Sequence, residues 1–516
     1  MSYHQPEFGK WRSMLWPIHT HELKKLLPMF FMFFFISFNY TILRDTKDTL
    51  VVTSSGAEAI FFLKVYGTVP AAIIFMLVYA KLSNMLSKEN LFYVTLVPFL
   101  IFFALFAYVI YPNEELLRPV AASAWLIDHL PSGFLGLIKC FENWTFSLFY
   151  ILAELWGSVV LSLMFWGFAN DITRVTEAKR FYSLFGIGAN VALLVSGPTI
   201  VYFSNIRDKI PTGVDPWQIS LNWFMGMIVV GGLAIMAIYW WMNRYVLSDK
   251  AFYDPGEEKK LKKSKPKMSI MDSLAYLAKS RYILLIAILV ISYGIAINIV
   301  EVTWKNQLKL QYPNYNDYQA FMGWFSTGTG LVTVLMMLFV GSNVIRRLGW
   351  TFGALFTPVV LLITGLLFFA FILFRDSLGV AIEALGTTPL FLAVVIGAIQ
   401  NIMSKSTKYS LFDPTKEMAY IPLDQEQKVK GKAAVDVVGA RAGKMGGSLL
   451  QQGLVFMFGS ISAFTPYVAG ILMLIIGAWI YAAKALGKEF NDLTNEQHPG
   501  DSAGKKDSTG SVLGHS

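Results

Sequence analysis

The chain has 516 residues, of which 55% are hydrophobic and only 15% charged, with a mean hydropathy of +0.51 and a formal net charge of +9. Apolar runs of about 20 residues, the length that crosses a bilayer as a helix, recur from end to end and exclude a soluble globular protein. One cysteine, Cys140, and six histidines confined to the tails and one loop exclude a disulfide framework, a cysteine metal site and an intramembrane histidine relay.

Residues 1–27 contain basic residues but no short apolar core before a small-residue cleavage site, which predicts a cytoplasmic segment followed by a retained first helix. The rest of the chain predicts an all-α polytopic membrane protein with twelve transmembrane helices, because apolar runs alternate with charged or turn-forming residues. The predicted helices span residues 28–52, 57–80, 91–111, 143–170, 181–203, 219–243, 282–304, 319–345, 350–374, 388–404, 433–459 and 463–483.

Lysine and arginine fall unevenly on the connections between the predicted helices. The N-terminal segment, the even-numbered connections and the C-terminal tail hold 31 of these residues, whereas the odd-numbered connections hold five when Lys305 and Lys309 are assigned to the end of the seventh helix. Because cytoplasmic loops are enriched in lysine and arginine, both termini are predicted to face the cytoplasm. The net positive charge is then a topology signal, and no nucleic acid partner is needed to explain it.

The longest cytoplasmic connection, residues 246–280, contains GEEKKLKKSKPKMS and separates two sets of six predicted helices. It predicts a linker between an N-terminal half, 28–245, and a C-terminal half, 281–487, and the polar tail at 488–516 is predicted to be disordered. The halves resemble each other, with charge clusters on the first helix and glycines on the fifth helix of each. This organisation is typical of a major-facilitator-like secondary transporter, whose substrate site lies near the membrane midplane.

Charged residues at membrane depth are the candidate functional residues, because each needs a partner or a water-filled cavity. Arg441 and Lys444 lie at i and i+3 near the middle of the eleventh predicted helix, with no acid beside them at i+4, and Asp436 is a supporting charge nearer its start. The cationic pair predicts an anion-binding site. The surrounding glycines indicate either close helix packing or a backbone opened for a ligand. These glycines are Gly439, Gly443, Gly446 and Gly447.

The first predicted helix carries the cluster RDTKD near its outer end. Arg44 and Asp48 are spaced i, i+4 and are predicted to pair, which leaves Lys47 and Asp45 to find partners elsewhere. The cluster is therefore either a self-neutralised helix end or part of a substrate site, in which Lys47 is better placed to reach a ligand. Lys64 on the second predicted helix adds a further cation on the same side.

Two acids on other helices need partners as well. Glu301 and Lys305 are spaced i, i+4 on the seventh predicted helix, which predicts an intrahelical ion pair. Glu154 on the fourth has no cation within one turn, so it is either a proton carrier or the partner of a cation on another helix. A pair formed by Lys47 or Lys64 with Glu301 would close an outer gate, which would open when a ligand draws Lys47 away.

Five segments strongly resemble the nucleotide translocators, the ATP/ADP translocases of obligate intracellular bacteria and plastids, and the likeness runs over residues 28–487. The segments are LRDTKDTLVVTS, AELWGSVVLSLMFWGFANDIT, EAKRFYSLFGIGANVALLVSG, NIVEVTWKNQLK and KVKGKAAVDVVGARAGKMGGSLLQQ. The resemblance implies a twelve-helix, major-facilitator-like antiporter that exchanges ATP for ADP, often with phosphate moving together with ADP. It implies no cofactor and no metal.

The same resemblance implies transport roles for Lys47, Glu154, Glu301 and Lys444, whereas Arg441 is an extra cation relative to plastid members. Lysines from both halves, with Arg441, would then clasp a polyphosphate, and the acids would hold these cations when the site is empty. The lack of a plastid-type N-terminal extension favours a bacterial member in an inner membrane. We expect a monomer in the lipid bilayer, with ATP, ADP and phosphate as its transported partners.

Three other functions are alternatives to nucleotide exchange. An ATP-driven pump is excluded, because GARAGKMG does not match a P-loop. Three residues separate Gly439 from Gly443, where a P-loop has four, and the residue after Lys444 is Met instead of Ser or Thr. An intramembrane enzyme is disfavoured, because the acids are scattered and no membrane histidine or cysteine can act as base or nucleophile. A proton-coupled nucleotide or organic-anion symporter of the same fold stays open, with Glu154 or Glu301 carrying the proton.

Overall fold

The computed structural model describes residues 18–206, 213–249, 280–384, 386–435 and 439–497. In these ranges all regular secondary structure is helical. We number the long helices of these ranges α1 Thr20–Ser55, α2 Ala59–Met85, α3 Lys88–Leu117, α4 Trp144–Ile172, α5 Val175–Ser204, α6 Pro216–Tyr245, α7 Arg281–Gln311, α8 Tyr315–Gly341, α9 Ser342–Leu373, α10 Pro389–Ala419, α11 Ala440–Phe458 and α12 Ile461–Gln497. Short helices lie at Val120–His129, Leu135–Glu142, Arg375–Glu383 and Gln425–Ala434.

Eleven helices of the described ranges are long and apolar enough to cross a membrane, and α11 is the long helix outside this set. It occupies the eleventh predicted span and is less apolar, since its first turns read ARAGKMGG. A long helix therefore stands at every predicted span. The prediction of an all-α polytopic membrane protein is confirmed.

Local sequence sets several helix ends. Gly56, with φ of +92°, ends α1 in a conformation that disfavours side chains with a Cβ. At the start of α6 the Asp215 carboxylate accepts a hydrogen bond from the Trp217 amide at 2.9 Å, and Pro216 fills the first helical position. Thr388 caps α10 in the same way through the Phe391 amide at 3.2 Å.

The predicted end of the tenth span at residue 404 was wrong. Helix α10 continues to Ala419 through a π-helical turn at Lys408–Phe412, so Lys405 and Lys408 lie on the helix and not in a cytoplasmic loop. The charges suggested a loop, but each has an acid nearby: Glu301 is 3.8 Å from Lys405, and Asp413 is 2.7 Å from Lys408. Paired charges need not end a helix.

The chain forms two compact units. Among the described residues, the first unit falls within Met1–Leu130, Leu135–Lys263 and Tyr312–Leu331, and the second within Pro131–Phe134, Ser264–Gln311 and Val332–Ser516. These units differ from the predicted halves at two places, since Tyr312–Leu331 belongs to the first unit and Pro131–Phe134 to the second. The linker and the tail were predicted at 246–280 and 488–516, and residues 250–279 and 498–516 of them lie outside the described residues, as do 1–17.

The first part of α8, up to Leu331, joins the first unit through specific contacts. The Asn316 amide donates hydrogen bonds to the Ser204 carbonyl at 3.0 Å and to the Ser220 hydroxyl at 2.8 Å. Further along, a methyl group on Gly323 would lie 2.8 Å from the Gly197 carbonyl oxygen, so the two glycines allow α8 and α5 to touch backbone to backbone. These contacts explain why this segment of α8 belongs to the first unit, although the sequence places it in the C-terminal half.

Each unit repeats the same packing. Helix α1 packs against α4, α5 and α6, and α7 packs against α10, α11 and α12. π-Helical turns interrupt α2 at Leu63–Thr68 and α4 at Gly157–Phe165, and again interrupt α8 at Met336–Gly341 and α10 at Lys408–Phe412. Since each interrupted helix of the second set is six helices after its counterpart, the molecule is an internal repeat of two six-helix sets.

Candidate functional site

Lys47 is the centre of a buried charge cluster on α1. Its ammonium lies 2.9 Å from the Asp48 carboxylate, 3.2 Å from the Glu154 carboxylate on α4 and 4.0 Å from the centroid of the Tyr150 ring. The Lys47 side chain is only 4% exposed, whereas that of Glu154 is 33% exposed. The lysine is therefore buried, whereas the acid that pairs with it is partly open.

Close packing of α4 on α1 brings Glu154 to Lys47. A methyl group on Gly157 would lie 2.8 Å from the Tyr40 ring of α1, so any larger residue here would have to displace that ring. One residue earlier, the Trp156 indole donates a hydrogen bond to the Ile36 carbonyl at 3.2 Å. Of the two alternatives for Glu154, pairing with a cation on another helix is the arrangement in the structure; its role in transport stays a prediction.

Arg44 does not pair with Asp48, so that prediction was wrong. Its guanidinium lies 3.0 Å from the Asp45 carboxylate and donates a hydrogen bond to the Ser326 hydroxyl of α8 at 2.7 Å. Ser326 in turn donates to Asp45 at 2.6 Å. Arg44 is thus held by Asp45 and Ser326, and Lys47 by Asp48 and Glu154, so each acid of the cluster binds the cation next to it in the sequence.

A second ion-pair cluster lies on α7 and α10. Glu301 lies 3.3 Å from Lys305, which confirms the predicted i, i+4 pair, and 3.8 Å from Lys405 on α10. The close approach of these helices again uses glycine and tryptophan, since Gly397 touches the Trp304 ring and the Trp304 indole donates to the Val394 carbonyl at 2.9 Å. Glu301 is therefore shared by two lysines of the second unit.

Lys444 lies on α11 with an exposed side chain. Among the described residues, no carboxylate lies within 4.0 Å of its ammonium, as expected for a candidate anion ligand. Its backbone is fixed, because the Asn298 amide of α7 donates to the Lys444 carbonyl at 3.4 Å and to the Ser448 hydroxyl at 3.2 Å. The Gln451 amide donates to the Asn298 carbonyl oxygen at 2.9 Å.

The glycines around Lys444 divide into two kinds. A methyl group on Gly443 would lie 2.9 Å from the Ile291 carbonyl, and one on Gly447 would lie 3.0 Å from Asn298, so these two allow α11 to touch α7. At Gly439 and Gly446 the same methyl group would make ordinary contacts at 3.8 Å and 3.9 Å, respectively. Close packing therefore explains Gly443 and Gly447.

For the other predicted residues the structure gives only the position in the fold. Lys64 lies half-buried on the π-helical turn of α2. Arg441 lies on α11, but its side chain is outside the described part of the structure, and Asp436 lies outside the described residues altogether.

Sequence reasoning missed three contributors: Tyr150, Ser326 and Lys405. Tyr150 is a buried aromatic residue among many, and Ser326 lies far from Asp45 along the chain, so neither gave a local signal. For Lys405 a signal existed, because it directly follows the apolar run that predicts the tenth span. Extending that predicted helix through the charged residues would have placed Lys405 on it.

The two six-helix sets and the charged residues at membrane depth define a polytopic membrane transport protein of the major-facilitator-like fold. In solved structures the fold is matched by a bacterial homologue of the iron transporter ferroportin in an inward-facing state, with a TM-score of 0.52 and 11% identity over 90% of this chain and 100% of that one. A D-xylose-proton symporter matches with a TM-score of 0.51 and 11% identity, over 90% and 97% of the two chains. At this identity the likeness shows the fold alone.

The chain belongs to the TLC ATP/ADP transporter family, whose model matches residues 1–490. ADP,ATP carrier protein 1 of Chlamydia trachomatis is 64% identical over 485 residues, covering 94% of this chain and 92% of that protein. The chloroplastic ADP,ATP carrier protein 1 of Arabidopsis thaliana is 53% identical, over 93% and 76% of the two chains. ADP,ATP carrier protein 1 of Rickettsia bellii is 45% identical, over 94% and 97%. Membership of a transporter family confirms the prediction of a carrier and not an enzyme.

Proposed function

We propose that this protein is a secondary active transporter that exchanges ATP for ADP across a membrane by alternating access. The family and the named carriers support the exchange reaction. The structural observation that carries the proposal is the pair formed by Lys47 and Glu154, 3.2 Å apart on two helices of the first unit. It provides a cation whose partner can be replaced by a phosphate.

Replacement of one anion by another is the central step. In the empty carrier Glu154 and Asp48 balance the charge of Lys47, which avoids the cost of an unpaired buried cation. When nucleotide binds, a phosphate oxygen takes the place of Glu154 at the ammonium, and Glu154 turns toward water. A lysine suits this exchange, because it is a flexible point charge that binds phosphate without the rigid two-point grip of arginine.

Lys444 supplies a second cation, from α11 of the second unit. Its side chain is exposed, and no described carboxylate competes for it, so an incoming phosphate meets no rival anion there. Arg441 one turn away adds positive charge on the same helix. Asp48 acts as a supporting charge that keeps Lys47 in place, and Glu301 holds Lys305 and Lys405 in the second unit.

Inorganic phosphate moves together with ADP in this proposal, because ADP with phosphate offers the same number of phosphoryl groups as ATP. In this proposal the chain acts as a monomer. The excess of lysine and arginine on one set of connections supports a location with both termini in the cytoplasm, and the bacterial relatives support the inner membrane.

Counterflow in proteoliposomes tests the exchange. Vesicles containing the purified chain are loaded with ADP, with ADP and phosphate, or with buffer alone, and uptake of labelled ATP is followed. An exchanger takes up ATP only into nucleotide-loaded vesicles. If empty vesicles with a pH gradient fill to the same level, the protein is a proton-coupled symporter and the exchange proposal is wrong.

A further inference from the structure

The ion pair on α7 and α10 repeats the one on α1 and α4 with its charges exchanged. In the first unit the cation Lys47 is on the first helix of the set and the acid Glu154 on the fourth. In the second unit the acid Glu301 is on the first helix and the cation Lys405 on the fourth. Nearly the same number of residues separates Lys47 from Glu301 as separates Glu154 from Lys405.

The surroundings of the two pairs repeat as well. Glu154 lies one turn before the π-helical turn at Gly157–Phe165, and Lys405 lies one turn before that at Lys408–Phe412. In both sets a tryptophan indole donates a hydrogen bond to a backbone carbonyl across the helix pair. Since π-helical turns are frequent at functional sites, the position of Lys405 matches a position that the first unit uses for a charged residue of its site.

The charge balance distinguishes the two clusters. Two acids surround one lysine in the first unit, because both Asp48 and Glu154 contact Lys47. In the second unit two lysines share Glu301, with Lys305 closer, at 3.3 Å, than Lys405, at 3.8 Å. Lys305 alone can balance Glu301, so Lys405 can leave it for another anion at little cost.

We propose that Lys405 binds the phosphate groups of the transported nucleotide and is held by Glu301 when no nucleotide is present. This inference rests on the proposed function and adds a third lysine to the two already assigned. Its side chain is 18% exposed, so it is not sealed off by its neighbours. Lys408, one turn further on α10, lies 2.7 Å from Asp413 and 4.5 Å from the Tyr409 ring centroid, and serves as a matched control.

The test compares nucleotide affinities of the purified full chain and the variants Lys405→Gln and Lys408→Gln. The readout is the ratio of ATP affinity to AMP affinity, which a general loss of stability does not change. Lys405→Gln is expected to lower this ratio by about tenfold, because it removes one charge-assisted contact to the additional phosphates. Lys408→Gln is expected to leave the ratio within about twofold of the wild type.

If Lys405→Gln does not fold, Lys405→Met replaces the ammonium with an uncharged side chain of similar length and leaves the Glu301–Lys305 pair balanced. It should lower the ratio to the same extent. An unchanged ratio in the folded Lys405 variant, or an equal fall in the Lys408→Gln control, overturns the proposal. If the wild-type chain binds ATP and the ratio does not change, only the role of Lys405 is lost; if the wild type binds no nucleotide, the proposed function fails and the inference with it.

Discussion

Lys47 has two acidic partners that differ in their access to water. Asp48 is buried beside it, whereas the Glu154 side chain is one third exposed. Water can solvate Glu154 once it leaves the lysine, while Asp48 has no such alternative environment. Glu154 is therefore the partner that a phosphate displaces, and Asp48 keeps the lysine charged and in position.

Substituting Glu154 tests this division of roles. Glu154→Gln should lower ATP uptake into ADP-loaded proteoliposomes by about tenfold, since the empty carrier then has no displaceable anion at Lys47. The protein should still fold, because the side chain reaches water. Glu154→Asp keeps the charge with a shorter reach and should retain part of the activity. Uptake by Glu154→Gln at the wild-type rate would contradict the proposed role, and loss of a pH-gradient stimulation in this variant would show that Glu154 carries a proton.

Lys444 is expected to behave differently from Lys47, because its side chain is exposed and no described acid depends on it. Lys444→Ala should weaken ATP and ADP binding by at least about tenfold while the melting temperature of the empty carrier stays within a few degrees of the wild type. Lys444→Arg should bind nucleotide but transport it more slowly, since the planar guanidinium releases phosphate less readily. Nucleotide affinity that is unchanged in Lys444→Ala would remove this residue from the site.

At the scale of helices, small residues set the distances that the charges need. The approach of α4 to α1 depends on Gly157, and that of α11 to α7 on Gly443 and Gly447. The helices that carry Glu154 and Lys444 thus pack closely against the first helix of their set, α4 on a tyrosine ring and α11 on backbone. Ligand position is then coupled to packing, so a change far from the charges should alter binding.

Gly443 and Gly453 on α11 form a matched pair for this idea. A methyl group on Gly443 would lie 2.9 Å from the Ile291 carbonyl, whereas one on Gly453 would have no atom within 4 Å. Gly443→Ala should destabilise the protein by about 1–3 kcal/mol through overpacking, and Gly453→Ala should be neutral or stabilise it by up to about 1 kcal/mol through helix propensity. Thermal unfolding in detergent measures both. Equal melting temperatures for the two variants would mean that α11 does not depend on close packing at Gly443.

At the scale of the whole molecule, the distribution of basic residues predicts which ends of the helices face the cytoplasm. Accessibility of introduced cysteines can test it, because the native cysteine is silent: Cys140 is 7% exposed, and burial raises the pKa of its thiol to about 12. The thiolate fraction at neutral pH is then very small, so Cys140 should react with maleimides much more slowly than an exposed cysteine.

Two exposed positions on opposite sides provide the test. A membrane-impermeant maleimide added outside intact cells should label Leu116→Cys, at the end of α3, and should not label Asn84→Cys, near the end of α2. Permeabilised cells should show labelling of both. The reverse pattern would place both termini outside, and labelling of the unsubstituted chain would contradict the burial of Cys140.

The fold class and the number of long helices could be predicted from the sequence, because hydropathy is a local property and each span must be apolar over its own length. The i, i+4 pair of Glu301 and Lys305 was predictable for the same reason. The predicted end of the tenth span at residue 404 was wrong, because charged residues on a membrane helix resemble a loop unless their partners are known. Glu301, the partner of Lys405, is far away in the sequence.

The sequence by itself determined which residues carry charge at membrane depth and that both sets of six helices contain them. Only the tertiary structure decided which charges meet: Arg44 turned to Asp45 and Ser326, and Glu154 joined Lys47. The reason is that helix periodicity fixes neighbours within one helix. Contacts between helices depend instead on where glycine residues leave space and where tryptophan indoles bond to the next helix. The pairing of Lys47 with Glu154 and of Glu301 with Lys405 followed from those approaches.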